Sequence, residues 1–198
     1  MRKYFVAAAL FLAVFFLGVL QAQASRTLYP WFIGGGYSQN FFLNYSKASD
    51  DVYRLGRLGF GGHLFVGRQI SDHWGILFDN SLNMHIGSRR GTDRGIVLYD
   101  STLLGPTLHF TREPLRSGLD PYIFLGPGIA VSTKRVLNNH GSPYPILGGF
   151  FGFDYYTSHH VSMYAEVGSL FAIRYMMPTV RVGMAYHFGH PRVVIFDE

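Results

Sequence analysis

Thr179-Val180-Arg181-Val182-Gly183-Met184-Ala185-Tyr186-His187-Phe188 alternates without a break between two kinds of side chain. Successive residues of a strand point to opposite faces. Val180, Val182, Met184, Tyr186 and Phe188 therefore share one face, and Thr179, Arg181, Gly183, Ala185 and His187 the other. One face is wholly apolar; the other is small, polar or charged. A half-buried strand of a soluble protein alternates too. The decision rests on recurrence of the pattern upstream and on what precedes it.

Residues 1–24 have the layout of an export signal. Arg2 and Lys3 supply positive charge, Tyr4 to Leu20 the apolar stretch, and Ala22-Gln23-Ala24 a small-residue cleavage motif before the polar Ser25-Arg26. An uncleaved membrane helix is the competing reading, because the stretch approaches spanning length. Cleavage would leave residues 25–198. Nothing in that portion approaches the about 18 unbroken apolar residues of a membrane helix. It is nonetheless rich in aromatics, 17% over the whole chain, with 24 glycines and only 15% charged residues, against about 25% charged in typical soluble domains. There is no cysteine, which excludes disulfides, thiolate metal sites and cysteine nucleophiles. The net charge of +5, reduced to +3 without Arg2 and Lys3, is too small to argue for nucleic acid.

Period-two runs separated by turn residues predict eight strands, near 31–45, 57–70, 74–87, 95–111, 121–133, 144–156, 161–174 and 179–188. Each meets the about 9–11 residues with which a tilted strand crosses a bilayer. The expected fold is all-β: an eight-stranded antiparallel transmembrane up-and-down β-barrel, apolar outside and polar inside. It would occupy 25–188, after the signal peptide 1–24 and before a short tail, 189–198. A soluble β-sandwich is the alternative. With both termini periplasmic, the connections at 46–56, 88–94 and 134–143 become long external loops, whereas 71–73 and 157–160 become tight periplasmic turns. The connection at 112–120 is a longish periplasmic one, and 175–178 a short external one. In the third strand Trp74, Ile76, Phe78, Leu82, Met84 and Ile86 should meet lipid, and Gly75, Asp79, Ser81, Asn83 and His85 the lumen. Asn80 breaks the outward set.

Three blocks resemble successive hairpins of the small eight-stranded outer-membrane proteins of the OmpW, OmpX and OmpA-barrel kind. They are Gly59-Phe60-Gly61-Gly62-His63-Leu64-Phe65-Val66-Gly67, the turn Ile70-Ser71-Asp72-His73-Trp74-Gly75-Ile76, and Leu104-Gly105-Pro106-Thr107-Leu108 continuing to Pro121-Tyr122-Ile123-Phe124-Leu125-Gly126-Pro127-Gly128. The resemblance implies a cell outer-membrane location, a monomer in contact with outer-membrane lipid, and insertion by the barrel-assembly machinery. That machinery reads a terminal aromatic in such families. Here Phe188, at the end of Val180–Phe188, takes that place although ten residues follow.

The interior of an eight-stranded barrel is just wide enough for side chains to fill it, so inward charges should pair. Glu166, Arg174, Arg181, His187, Asp79 and His63 are the candidates for a lumen network, with Asp154 beside them. If the last hairpin turns near Met176-Met177, Glu166 falls opposite His187. The network is either a plug or a narrow gated conduit. Pro106 and Pro127 face lipid on neighbouring strands, and a turn between Arg116 and Ser117 would set them opposite each other. Proline cannot donate to the ladder, so a lateral opening for apolar molecules is one reading and two tolerated defects the other. Arg89, Arg90 and Arg94 cluster in the second external loop, where guanidinium groups suit phosphate or anionic polymer.

Enzymatic and metal chemistry are poorly served. His160-Val161-Ser162 resembles the His-x-Ser pair of lipid A-deacylating barrels, yet it lies at a predicted periplasmic turn with Glu166 only four residues on. No catalytic residue, cofactor or metal ligand is assigned; His159 and His160 are adjacent and should point apart. The expected role is non-enzymatic. It is a narrow channel or lateral conduit for small hydrophobic solutes, or else adhesion to a host surface ligand through the external loops, or a structural barrel with a plugged lumen.

Overall fold

The computed structural model describes residues 27–28, 30–44, 54–71, 73–89, 93–111, 118–133, 143–173, 175–189 and 192–193. The proposed signal peptide lies outside them, as do Arg90 and Arg174. Eight long strands follow one another: β1 Trp31–Phe41, β2 Arg54–Gln69, β3 Trp74–Arg89, β4 Asp93–His109, β5 Leu119–Ser132, β6 Tyr144–Tyr156, β7 Val161–Ala172 and β8 Tyr175–Phe188. Each pairs antiparallel with its sequence neighbours, and β8 pairs with β1, Met184 opposite Gly35, so the sheet closes on itself. Closure leaves no unpaired edge, and a strand structure needs this where no water can satisfy the backbone. Beyond the barrel, Thr27–Leu28 pairs with Arg192–Val193. The segment after Phe188 thus adds a short rung to the segment before β1.

The alternation in the sequence is the alternation of the wall. On β8, Val180, Val182, Met184, Tyr186 and Phe188 are exposed while Thr179, Arg181, Ala185 and His187 are buried. On β3, Trp74, Ile76, Phe78, Leu82 and Ile86 are exposed and Asp79, Ser81, Asn83 and His85 buried. The outside is therefore a continuous apolar band. Trp31, Trp74, Phe110, Tyr155, Tyr186 and Phe188 ring it at the end where β1 begins and β8 finishes. Aromatic girdles of this kind mark the membrane–water boundary of transmembrane barrels.

Three expectations are corrected. β8 begins at Tyr175, not 179, and pairs Tyr175 with Ala172. Residues 175–178 are strand, not connection, since a proline can sit in a strand where the ladder does not need its N–H. The shift moves the register, so that Glu166 lies opposite Arg181 and not His187. The connection at 88–94 is not a long loop either. Ser88 pairs with Arg94 and Arg89 with Asp93, so both ends of that stretch belong to the ladder. Polar residues there continue the ladder past the apolar band. Finally, Pro106 and Pro127 are not opposite each other. The β4–β5 register places Leu103 opposite Gly128 and Thr107 opposite Phe124, so each proline faces a leucine, Pro106 at Leu125 and Pro127 at Leu104.

Candidate functional site

Alternation drives half of every strand inward, and eight strands leave little room, so large and small residues must interlock. Tyr164 shows how. Its hydroxyl reaches His63 Nε2 at 2.7 Å, and the ring can cross only because Gly36 and Gly183 leave space for it. A Cβ at Gly59 would likewise collide with the His85 ring, and one at Gly67 with Phe32.

Midway along the bore lies Arg181 of β8, 1% exposed. Its Nη2 donates to Asp79 Oδ2 at 2.9 Å and to Ser81 Oγ at 2.8 Å, both on β3, and Nη1 to Glu166 Oε2 at 3.5 Å on β7. Its guanidinium carbon stands 3.9 Å from the centre of the Phe150 ring. Asp79 Oδ1 lies 3.1 Å from His63 Nδ1, and the Tyr122 hydroxyl donates to Glu166 Oε1 at 2.8 Å. Through its two ring nitrogens His63 thus joins Asp79 to Tyr164. Charged groups buried this deeply persist only when paired and hydrogen-bonded. The network spans the bore and ties β2, β3, β5, β7 and β8 together.

Of the expected lumen residues, Glu166, Arg181, Asp79 and His63 come together. His187 stands apart, nearer the end where β8 finishes, with the Ser162 hydroxyl 2.9 Å from Nε2 and the Phe32 and Tyr156 rings against it. Asp154 accepts from Ser162 at 3.3 Å and is paired in register with Asp120. A small cavity between Phe32, Phe65, His109, Tyr122, Asp154 and Ala185 has room for little more than one water. Among the described residues no group of histidines and carboxylates is placed to hold a metal. Tyr122, Tyr164, Ser81 and Phe150 were not read as network members. Their inward parity was the available signal.

A second cluster fills the bore nearer the opposite end, where β8 begins. The Tyr99 and Tyr175 hydroxyls are 2.7 Å apart, Tyr175 donates to Tyr144 at 2.8 Å, and Phe42 stacks on Tyr175 at 5.0 Å between centroids. Val97, Ile146 and Met177 fill the space around them.

Between β4 and β5 the wall carries two prolines. Register pairing is absent between Leu103↔Gly128 and Thr107↔Phe124, although the two backbones stay as close as in fully paired strands: a Cβ on Gly105 would lie 2.6 Å from Gly126 Cα, against 2.7 Å from Gly61 to Asn83 Cα. The two prolines account for the missing pairs. An antiparallel pair exchanges two N–H···O bonds at alternate positions. With Leu104/Pro127 and Pro106/Leu125 as such positions, each has lost the bond its proline would donate. Between these positions Gly105 and Gly126 contribute no side chain, and the Phe124 ring lies over Gly126. Leu103, Phe124 and Leu170 make the bore behind these positions apolar, and Phe150, stacked on Phe124, carries that surface to the Arg181 guanidinium.

Neither a protein-family model nor a curated protein matches the chain. Solved structures do. The Neisserial surface protein A (NspA) superposes with a TM-score of 0.60 at 12% identity, over 84% of this chain and 100% of that one. OprG of Pseudomonas aeruginosa gives 0.58 at 15%, over 82% and 97%. Ail, the attachment invasion locus protein of Yersinia pestis, gives 0.55 at 17%, over 81% and 99%. At such identities the likeness is one of fold, and it joins the apolar band, the aromatic ring and the closed sheet already described. The chain is an integral barrel of the cell outer membrane, with the small eight-stranded architecture of those proteins.

Proposed function

We propose that this barrel admits small apolar solutes sideways, through the β4–β5 seam, and not hydrated solutes along its axis. One observation carries the reading: Pro106 and Pro127 remove two ladder hydrogen bonds close together, where the bore behind them is lined by Leu103, Phe124 and Leu170. The two clusters that fill the bore support it, because they oppose axial flow. Two cysteines replacing Leu104 and Pro127 can bridge the seam, and the chain has no cysteine of its own to interfere. Uptake of naphthalene into vesicles should fall when the bridge is oxidised and recover on reduction. Uptake that ignores the bridge would end the proposal.

A second reading, surface attachment, draws on Arg89, Arg90 and Arg94 around the β3–β4 turn. Ail has been solved in complex with the heparin analogue sucrose octasulfate; a sulfated polymer is a fitting probe here as well. Retention on heparin that is lost when the three arginines become serine would favour it. In both readings the working unit is a monomer in contact with outer-membrane lipid, without cofactor or catalytic residue. Val180–Phe188 would be the segment offered to the assembly machinery. Ser162 and His187 form a close pair, with Ser162 wholly buried.

A further inference from the structure

Asn80, Asp100 and Thr102 stand on the outer face of β3 and β4. Asn80 is paired with Thr102 and Asp100 with Leu82. Around them the wall is apolar: Leu64 is 70% exposed, and Phe78, Leu82, Leu98, Leu104 and Ile129 are exposed too. This is the middle of the lipid-facing band. The Nδ2 group of Asn80 spends both its hydrogens within the trio, 2.8 Å to Asp100 Oδ1 and 2.9 Å to Thr102 Oγ1. Asp100 Oδ2 and Asn80 Oδ1 remain as acceptors, and among the described residues no cation pairs with Asp100.

Acyl chains donate nothing to such a group, and ionisable residues facing the membrane interior are costly and mark functional sites. The trio also has a telling position. Thr102↔Ile129 and Leu103↔Gly128 are the last paired positions before the stretch that holds Pro106 and Pro127. A carboxylate, an amide oxygen and a hydroxyl therefore converge on the lip of the seam. Three acceptors, one of them anionic, match an ammonium group with three donors.

We infer that Asn80, Asp100 and Thr102 bind the ammonium group of a small apolar amine at the lipid-side lip of the β4–β5 seam. This names the solute class for the proposed lateral path and rests on that reading. The two can fail separately, because the test reads binding and not passage. Asn80 holds the carboxylate in place, Asp100 supplies the charge, and Leu64, Leu104 and Ile129 surround the hydrocarbon tail.

Dicyclohexylcarbodiimide, which enters bilayers and modifies carboxyl groups, reports on the site in the full processed chain in phosphatidylcholine vesicles. Dodecylamine should lower labelling of Asp100, read by peptide mass spectrometry, at least fivefold. Dodecanol, of equal length but uncharged, should change it less than twofold. Equal protection by the two, or none by the amine, overturns the inference. So does labelling that falls merely on raising the protein-to-lipid ratio, which would make the trio a contact between copies. Should Asp100 resist the reagent, retention of radiolabelled dodecylamine decides. Asp100→Asn, an isosteric change, should abolish the saturable part, and unchanged retention overturns the inference.

Discussion

Arg181 on β8 reaches across the bore to Asp79 on β3, with Nη2 2.9 Å from Oδ2 and neither residue more than 1% exposed. Strands that are not neighbours in the sheet are thereby tied through the interior. The same guanidinium serves Glu166, so two carboxylates depend on one cation. Removing a single partner from a buried pair strands the others in a medium that cannot solvate them, at about 3–5 kcal/mol. Arg181→Ala should lose about that much stability, measured by urea titration of the folded band that migrates differently after boiling. Arg181→Met combined with Asp79→Asn and Glu166→Gln should recover most of it, because exchanging a whole buried ion cluster for neutral groups is often close to neutral. Single-channel conductance of Arg181→Ala should stay low, since Tyr99, Tyr144 and Tyr175 still fill the bore at the second level; a large conductance would show that the tyrosines do not seal.

The seam yields to a restoring substitution. Pro106→Val with Pro127→Val returns the two missing N–H donors, each worth about 0.5–1.5 kcal/mol once bonded. The double variant should be more stable than the parent, exchange its amides more slowly between 103 and 128, and take up naphthalene more slowly. Faster uptake, or unchanged exchange, would place the leak elsewhere.

Much of this was legible in the sequence because the side-chain period of a strand is two and the lipid makes one face uniformly greasy. Parity placed Asp79, His63, Glu166 and Arg181 inside, and the eight strands followed from the same rule. What parity cannot supply is register, which depends on where each hairpin turns. Pro178 looked like a turn and is strand, so Glu166 was matched with His187 in place of Arg181. A two-residue error at the β4–β5 turn likewise set the prolines face to face. Asn80 stood out as an exception to the pattern, but its meaning needed Asp100 and Thr102, 20 and 22 positions away, to be brought beside it by the β3–β4 hairpin. The serine–histidine pairing was also a matter of register: Ser162 meets His187, while the His160 ring goes to the His187 carbonyl and stacks on Tyr186.

Gly183 tests the interlocking of the interior. A side chain there would occupy the place of the Tyr164 ring, and overfilling a packed interior costs about 1–3 kcal/mol. Gly183→Val should destabilise by that amount and break the Tyr164–His63 contact. Tyr164→Ala in the same chain should relieve part of the loss, a coupling that urea titration of the two singles and the double would reveal. Strictly additive losses would mean that the valine clashes only with backbone.

Tyr175 is the pivot of the second cluster, because its hydroxyl meets those of Tyr99 and Tyr144 and its ring stacks on Phe42. Tyr175→Phe keeps the stacking and removes both hydroxyl contacts. Tyr99, wholly buried, would lose its partner, and an unsatisfied buried polar group costs about 1–3 kcal/mol. Tyr144, partly exposed, can turn to water, so Tyr144→Phe should cost less. The expected order of stability in urea is parent, then Tyr144→Phe, then Tyr175→Phe. Adding Tyr99→Phe to Tyr175→Phe should restore part of the loss by removing the stranded hydroxyl. If the double is no more stable than Tyr175→Phe, the cluster is held by ring packing alone and the hydroxyl chain is incidental.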